Sequence, residues 1–331
     1  MTPMIETRAL TKRFEKRLDF AGRLAARLGA DLKDEIVRAV DAVDLSVAKG
    51  EVVGLVGESG CGKSTIGRMI AGIMPPTEGA IFWNGRDRAG LHGAEAKEAK
   101  LAVQMVFQDP ASSLNPRMRV EETIGEAPLV HGLVGKGERD AYVDQTLLSV
   151  GLDPAVKRRY PHQFSGGQRQ RVGIARALAV KPKFIVADEA VAALDVSIRA
   201  QIVNLFVELK DRLDLTYLFI SHDLSIVEHV ADRVVVMYLG RVVESAPTAE
   251  IFARPNHPYA ISLLASLPRV EDRKRSFHVV TGEIPSPLNP PPGCHFHPRC
   301  PNAMERCRVE RPVLREIAPG HVSACHLNDM A

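Results

Sequence analysis

The segment Gly57-Glu-Ser-Gly-Cys-Gly-Lys-Ser64 lies between an apolar run at 51–56 and a helical pattern that begins at Thr65. It matches the P-loop pattern in full, in the strand, loop and helix order that this motif requires. Its glycines let successive backbone N–H groups point at phosphate oxygens, and the helix that follows adds the positive end of its dipole. The segment therefore predicts a phosphate site in an α/β fold.

The polar side chains of this loop have separate predicted roles. Lys63 is expected to reach the β- and γ-phosphates, and the Ser64 hydroxyl to coordinate magnesium. Cys61 is best explained as a small side chain in the loop rather than a reactive thiol. The predicted ATP contacts of this segment are Gly57, Ser59, Gly60, Cys61, Gly62, Lys63, Ser64 and Thr65.

On either side of this loop, apolar runs alternate with longer helical patterns from about residue 51 to 222. This alternation indicates an α/β domain with a largely parallel sheet. The runs at 183–189 and 216–222 end in polar residues, at the sheet edge where such folds bind ligands. Residues 233–244 are typical of a β-hairpin that turns at Leu239-Gly240.

Two adjacent acids, Asp188 and Glu189, end the apolar run at 183–189. Asp188 is predicted to hold magnesium, directly or through water, and Glu189 to polarise the attacking water. Acids at a helix N-terminus would look the same in isolation. Together with the P-loop, the pattern favours phosphoryl transfer.

The segment Phe164-Ser-Gly-Gly-Gln-Arg-Gln-Arg171 resembles the signature motif of ATP-binding-cassette (ABC) ATPases, whose usual form begins with leucine. In that family the motif starts a helix and caps the γ-phosphate of ATP held by the opposite subunit. The resemblance implies that one site is built from two chains. The residues that it assigns to nucleotide binding are Ser165, Gly166, Gly167 and Gln168.

Further positions match family elements one at a time. Gln108 resembles the glutamine that touches magnesium and the water, and His222 resembles the switch histidine that contacts the γ-phosphate. Asp195 lies in a segment similar to the loop that crosses to the other subunit. Phe14 is the candidate for stacking on adenine, with a core phenylalanine as the alternative.

The segment after the two acids departs from the family pattern. Ala190 stands where proline is usual, and Ala192 where serine is common. Both carboxylates and Asp195 are present, so ATP hydrolysis is still expected. A regulatory protein that binds ATP without turnover is the alternative that this departure suggests.

The resemblance implies an α/β fold of the P-loop ABC type. Its parts are a RecA-like core, an N-terminal antiparallel β subdomain and a helical subdomain at about 111–172. The predicted domains are 1–250, the ABC nucleotide-binding domain, and 251–331, a small C-terminal extension that contains cysteines. Dense prolines after residue 251 favour extended chain there.

The extension carries the segments His257-Pro-Tyr259 and Gly293-Cys-His-Phe-His-Pro-Arg-Cys300. Both resemble the C-terminal extension of oligopeptide and dipeptide importer ATPases. The implied function is the ATP-hydrolysing subunit of a multi-subunit peptide importer, with nickel or sugar import and a non-transport ABC ATPase as alternatives. The implied partners are two transmembrane permease subunits, a second ABC ATPase, identical or different, and an extracytoplasmic solute-binding protein.

Four of the five cysteines, Cys294, Cys300, Cys307 and Cys325, follow Gly293 with 5, 6 and 17 residues between them. In a cytoplasmic protein such a cluster favours metal over disulfides. The spacing lacks the two-residue knuckles usual for structural zinc, and four thiolates suit an iron–sulfur cluster. The resemblance also implies a [4Fe-4S] cluster, with Zn²⁺ and free thiols as alternatives. The neighbouring histidines are expected to be solvated loop residues: His295, His297, His321 and His326.

Composition sets the outer limits. The chain has 331 residues and a formal charge of +3, from 43 Lys and Arg against 40 Asp and Glu. That balance excludes dominant disorder and gives no support for nucleic-acid binding. No apolar stretch approaches the roughly 18 to 20 residues of a membrane span. We therefore expect the protein to stay in the cytoplasm, and the family resemblance implies a peripheral position at the cytoplasmic face of the bacterial inner membrane. The apolar spacing at 18–32 predicts an amphipathic helix packed on its own domain, with a helix at the membrane surface as the alternative.

Overall fold

Two β-sheets and the helices around them make up the described part of the computed structural model, residues 2–16, 35–265 and 282–329. The amphipathic pattern at 18–32 lies outside these ranges. The strands are β1 (Ile5–Lys16), β2 (Glu35–Val47), β3 (Val52–Val56), β4 (Glu78–Trp83), β5 (Arg86–Asp87), β6 (Val103–Val106), β7 (Phe184–Asp188), β8 (Thr216–Ile220), β9 (Arg233–Tyr238), β10 (Arg241–Pro247), β11 (Arg315–Ala318) and β12 (His321–Ser323). The α-helices are α1 (Lys63–Ile70), α2 (Gly93–Ala102), α3 (Pro110–Ser113), α4 (Val120–Val130), α5 (Arg139–Ser149), α6 (Gly166–Leu178), α7 (Val196–Leu213), α8 (Leu224–Val230), α9 (Thr248–Ala253), α10 (Pro258–Ala265) and α11 (Glu305–Val309).

The larger sheet has the strand order β11-β12-β10-β9-β3-β8-β7-β6 over the described residues. Its β9-β3-β8-β7-β6 part is parallel. Every residue of β3, β7 and β8 is buried, as expected for strands covered on both faces. The carboxyl ends of these strands meet at one edge, which confirms the predicted parallel sheet.

The hairpin between β9 and β10 turns at the predicted residues. Leu239 and Gly240 both have positive φ, 42° and 80°. Tyr238 pairs with Arg241 across them. Positive φ at both central positions suits the right-handed twist of a two-residue hairpin.

The smaller sheet is antiparallel, in the order β2-β1-β4-β5 within the described ranges. Ile5 and Leu10 of β1 are fully buried and join a core that includes Ile66 and Met69 of α1. The sheet therefore packs on the helix that follows the P-loop. This confirms the N-terminal antiparallel β part that the family resemblance implied.

Helices α3 to α6 lie between β6 and β7 in the chain. Their apolar faces share a core that includes Val120 and Ile124 of α4 and Val143 and Leu147 of α5, all fully buried. The insertion is thus helical, as predicted. Its limits at about 111–172 and the division at 250/251 stay predictions.

The residues after 282 add to the larger sheet. Strand β12 pairs with β10, with Glu244 opposite Ser323 and Ser245 opposite Val322. Phe296 is buried in the same core as Tyr238 and Tyr259. The extension therefore shares both a sheet and a core with the cassette.

Among the described residues, no helix is long and apolar enough to cross a membrane.

Candidate nucleotide site

The P-loop has a backbone that only glycine tolerates at two positions. Gly57 and Gly62 have φ of 148° and 106°. A Cβ on Gly57 would lie 2.2 Å from the carbonyl oxygen of Met237, and one on Gly62 would lie 2.2 Å from that of Ala39. The loop is therefore pressed against the backbone of β2 and β9, which fixes its curl.

Lys63 folds back over this loop. Its Nζ donates to the carbonyl oxygens of Gly57 at 2.8 Å and Glu58 at 3.0 Å, and the side chain is buried. The ammonium therefore lies inside the curl where phosphate oxygens would approach. Burial raises the pKa of the neighbouring Cys61 thiol, so this cysteine is a small buried group, as predicted.

Ser64 and Asp188 form a pair below the loop. The Ser64 Oγ donates to Asp188 Oδ1 at 2.7 Å. Burial raises the pKa of Asp188, and the Ser64 hydrogen bond opposes that shift. A hydroxyl and a carboxylate are the oxygen donors that Mg²⁺ takes when substrate phosphates complete its shell. The residues present therefore fit the predicted magnesium site.

Glu189 lies at the centre of a polar trio at the same sheet edge. Its Oε2 accepts from Gln108 Nε2 at 2.7 Å, and its Oε1 lies 3.4 Å from His222 Nδ1. The backbone of Glu189 has a φ of 46°, held by an N–H bond to the carbonyl of Ile220. Such strain in a non-glycine residue is found at functional sites. The structure thus brings together all three residues predicted to be catalytic.

The signature segment starts helix α6. Ser165 is the N-cap, and its Oγ accepts from the backbone N–H of Gln168 at 3.3 Å. The Gln168 side chain accepts from the Ser165 N–H in return, which is a capping box. A Cβ on Gly167 would lie 2.4 Å from Ile198 of α7, so close packing requires this glycine. Sequence reasoning missed the capping role of Gln168.

Two further residues predicted to contact the nucleotide, Phe14 and Asp195, lie on other elements. Phe14 on β1 is 40% exposed, with Lys12 Nζ 5.5 Å from its ring centre, so it is not a core residue. Asp195 is the N-cap residue of α7. Ala190, at the position where proline is usual, is buried. The roles of Phe14 and Asp195 stay predictions.

The four late cysteines line one cavity, together with His326. Burial raises the pKa of the Cys294 thiol to about 11, and the other three thiols add to that shift. Yet no group of three or more His, Cys, Asp and Glu side chains in the described ranges is placed so that it could hold a metal ion. The structure brings the thiols together without setting them in ligand geometry.

The prediction of solvated histidines around this cluster is wrong for three of them. His295, His321 and His326 are buried. Each has a partner: His295 Nδ1 lies 3.0 Å from the carbonyl oxygen of Leu239, and His321 Nε2 lies 2.7 Å from Glu244. His326 Nε2 lies 3.0 Å from the carbonyl oxygen of Glu310. His295 and His321 are buried where the extension packs against the β9-β10 hairpin, and His326 is buried by contacts within the extension itself.

A P-loop, a serine and aspartate pair, a strand-end glutamate and a glycine-rich helix start together define an ABC-type ATPase site. Comparison with known proteins agrees. Residues 40–192 match the family described as ABC transporter, and residues 243–307 match the oligopeptide/dipeptide transporter C-terminal region. The chain belongs to the ABC transporter family, as an ATP-binding subunit with that C-terminal region.

Relatives match over most of the chain. An oligopeptide transport ATP-binding protein of Bacillus subtilis, AppF, is 51% identical over 88% of this chain and 90% of its own. A putative peptide import ATP-binding protein of Brucella ovis is 47% identical over 98% of each chain. The ATP-binding cassette MJ0796 bound to ADP and Pi superposes with a TM-score of 0.62 at 28% identity, covering 74% of this chain and 99% of that one.

Proposed function

We propose that this chain hydrolyses ATP to power a multi-subunit ABC importer for dipeptides or oligopeptides. The observation that carries the proposal is Glu189 set between Gln108 and His222, beside the Ser64 and Asp188 pair. The match of residues 243–307 and the names of the relatives support peptide import. Nickel complexes and sugars are the alternative substrates.

Different residues of the chain have different roles at the phosphates. P-loop N–H groups bind the phosphate oxygens, and Lys63 exchanges its loop carbonyl partners for the β- and γ-phosphates. Ser64, Asp188 and Gln108 would hold Mg²⁺, which neutralises developing charge on the phosphates. Phe14 stacks on the adenine.

Glu189 acts on the attacking water. Its carboxylate takes a proton from the water as the water oxygen bonds to the γ-phosphorus, and the bond to the β-phosphate oxygen breaks. The products are ADP and inorganic phosphate. Gln108 and His222 hold the carboxylate in place, and His222 also reaches the γ-phosphate.

A second cassette completes the site. Ser165, Gly166, Gly167 and Gln168 at the start of α6 face the γ-phosphate on the opposite subunit, where a helix N-terminus favours an anion. Asp195 lies in the loop that crosses between subunits. Two permease subunits and a solute-binding protein complete the importer, with this chain at the cytoplasmic face of the inner membrane.

Reconstitution in vesicles, with the permease and ATPase subunits encoded beside this chain, tests this function. Peptide-loaded binding protein should raise ATP hydrolysis several-fold over unloaded protein, and Glu189→Gln should abolish the increase. Stimulation by a nickel complex or a sugar instead would reassign the substrate. Hydrolysis that is indifferent to permease and cargo would contradict an importer and favour a non-transport ATPase.

We also propose that Cys294, Cys300, Cys307 and Cys325 hold a [4Fe-4S] cluster, with Zn²⁺ as the alternative. The support is that the four thiols line one cavity, since thiolates are the ligands that both groups use. Binding must displace protons from thiols and adjust their positions.

Anaerobic purification with visible absorption and iron and sulfide analysis tests the cluster. Cys307→Ser should lose the colour and the iron, whereas Cys61→Ser, outside the cluster, should keep both. A colourless wild-type protein with one equivalent of zinc would establish the alternative. Protein free of both metals would contradict metal binding.

A further inference from the structure

Two sequence motifs of the extension converge on one residue of the P-loop, Glu58. Arg299 donates from Nη1 to Glu58 Oε2 at 2.7 Å and from Nη2 to Oε1 at 2.9 Å. Tyr259 accepts the backbone N–H of Glu58 on its hydroxyl at 2.8 Å. Both the side chain and the backbone of this loop residue are therefore held by residues that follow it by about two hundred positions or more.

Hydrogen bonds within and around the His257-Pro-Tyr259 motif position the tyrosine. The Tyr259 N–H donates to His257 Nδ1 at 3.1 Å, and the His257 N–H donates to Glu244 Oε2 at 2.7 Å. Glu244 is fully buried on β10, and His321 of β12 lies 2.7 Å from its other oxygen. The turn is thus anchored to two strands of the larger sheet.

The segment 293–300, which contains Cys294 and Cys300, positions Arg299. Phe296 packs against Tyr238 and Tyr259, with ring centres 5.2 Å and 5.4 Å apart. Arg299 lies over the Tyr238 ring at 5.8 Å and is only 8% exposed. The Arg299 side chain is 5% exposed and that of Glu58 22%, so this bidentate guanidinium–carboxylate pair is shielded from most of the solvent and is of the geometry that gives strong polar contacts.

Glu58 is itself connected to the predicted phosphate site. Its carbonyl oxygen accepts from Lys63 Nζ, the group expected to reach the β- and γ-phosphates. Packing holds Gly57 and Gly62, but a Cβ on Gly60 would meet nothing within 4 Å, so the part of the loop around Gly60 has backbone conformations to lose when it binds phosphate. Fixing Glu58 at both its backbone and its carboxylate removes part of that cost before ATP arrives.

We propose that Arg299 and Tyr259 are positioning residues for the P-loop, through which the C-terminal extension sets the affinity of the cassette for MgATP. The inference rests on the proposed function, because it takes the P-loop as the ATP site. It gives the His-Pro-Tyr motif and the arginine beside Cys300 a shared role at the nucleotide.

A double-mutant cycle on full-length protein tests this role, with MgATP titrated in a fluorescence or calorimetric binding assay. Arg299→Ala and Glu58→Gln should each weaken MgATP binding about tenfold, and the double variant should bind about as well as either single one, since both remove one interaction. Arg299→Lys should recover part of the affinity. Arg254→Ala is the matched control, since Arg254 is an exposed arginine of the extension that pairs with Glu250 instead of with the P-loop.

Tyr259→Phe keeps the buried ring and removes only the hydroxyl that accepts from the Glu58 N–H. It should weaken MgATP binding about threefold or more while thermal unfolding stays cooperative, so the test does not depend on a variant that misfolds. In steady-state hydrolysis, KM for MgATP should rise while kcat stays within twofold, because Glu189 is untouched.

MgATP affinities within twofold of wild type for Arg299→Ala, Glu58→Gln and Tyr259→Phe would overturn the inference. Strictly additive losses in the cycle would also overturn it, because they would show that Arg299 and Glu58 act separately. Wild-type protein that fails to bind MgATP would instead overturn the proposed function.

Discussion

Glu189 is the residue on which the proposed chemistry depends. One carboxylate oxygen accepts a hydrogen bond from Gln108, and the other lies beside His222. The backbone of Glu189 has a strained positive φ. A flexible glutamate side chain would otherwise sample several rotamers. The two neighbours, which follow the ends of β6 and β8, therefore restrict the Glu189 carboxylate to one position, as its proposed role as the base requires.

Replacing Glu189 by glutamine should lower ATP hydrolysis about 10²- to 10⁴-fold, the range expected for losing a general base. MgATP binding should stay within twofold, because the P-loop and Lys63 are unchanged. Single-turnover hydrolysis and equilibrium binding measure the two effects separately. Hydrolysis at the wild-type rate would show that Glu189 is not the base.

In the protein without nucleotide, burial of the charged Asp188 carboxylate lowers the free energy of unfolding. Burial raises its pKa, so the folded state holds a proton more tightly than the unfolded state does. Its contribution to the free energy of unfolding is therefore fully present below the usual carboxyl range and is lost as the pH rises through the raised pKa of Asp188.

Asp188→Asn should raise the thermal midpoint of nucleotide-free protein at pH 7.5 by about 2–4 °C, as for roughly 1 kcal/mol in a large domain. The same variant should lose the extra stabilisation that Mg²⁺ adds to bound ATP. Thermal unfolding with ATP, with and without Mg²⁺, checks both parts. A lower midpoint without nucleotide would contradict the burial cost.

At the scale of elements, the N-terminus of α6 has a structural role and a proposed role in binding ATP. Ser165 and Gln168 cap the helix in this chain, and the same N-terminus is proposed to face ATP on a second subunit. A cap contributes about 1 kcal/mol to stability. The two roles can be separated because asparagine caps a helix as well as serine does.

Ser165→Ala should lower the thermal midpoint by about 2–4 °C and weaken the ATP-induced dimer. Ser165→Asn should restore the midpoint but not the dimer, because the bulkier amide does not reproduce the hydroxyl at the phosphate. Size-exclusion chromatography with ATP, in the Glu189→Gln background, reports the dimer. An equal dimer for all three proteins would place the signature away from the nucleotide.

The turn between α9 and α10 gives the protein a sensitivity to acid. Burial lowers the pKa of His257 to about 4, so the folded state excludes a proton that the unfolded state binds. Stability from this group is fully present above about pH 6.5 and is lost as the pH falls towards 4, by up to about 1.4 kcal/mol per pH unit.

His257→Asn should flatten the fall of the thermal midpoint between pH 6.5 and pH 4. The Asn side-chain oxygen keeps an acceptor for the Tyr259 N–H but does not titrate. His295, also buried with a pKa lowered to about 4, leaves some pH dependence in the variant. Superimposable profiles for variant and wild type would exclude His257 as a source.

At the scale of the whole molecule, the extension is part of the cassette rather than an appendage. Strand β12 continues the larger sheet beyond β10, and Phe296 packs on Tyr238 and Tyr259. Because β10 would otherwise expose unpaired backbone groups, the extension also covers an edge of the sheet. The same packing brings Arg299 to the P-loop.

Much of this molecule could be predicted from local pattern. The P-loop and the buried strands β3, β7 and β8 were predictable because phosphate binding and burial on both faces each impose a short, continuous pattern. Strands β1 and β2 gave no such signal, and only the family resemblance implied them. The buried histidines were mispredicted because their burial depends on how the extension folds and packs on the β9-β10 hairpin, which no local pattern shows.

What the amino-acid sequence determined by itself was the class of site: a glycine loop with its lysine, then a signature segment, then two adjacent acids, in the order typical of an ABC ATPase. What only the tertiary structure decided was the link between Glu58 and Arg299, 241 residues apart in the chain. Neither residue belongs to a local pattern that predicts the other. Contacts of that range depend on how the sheet and the extension pack, and so they appear only once the chain is folded.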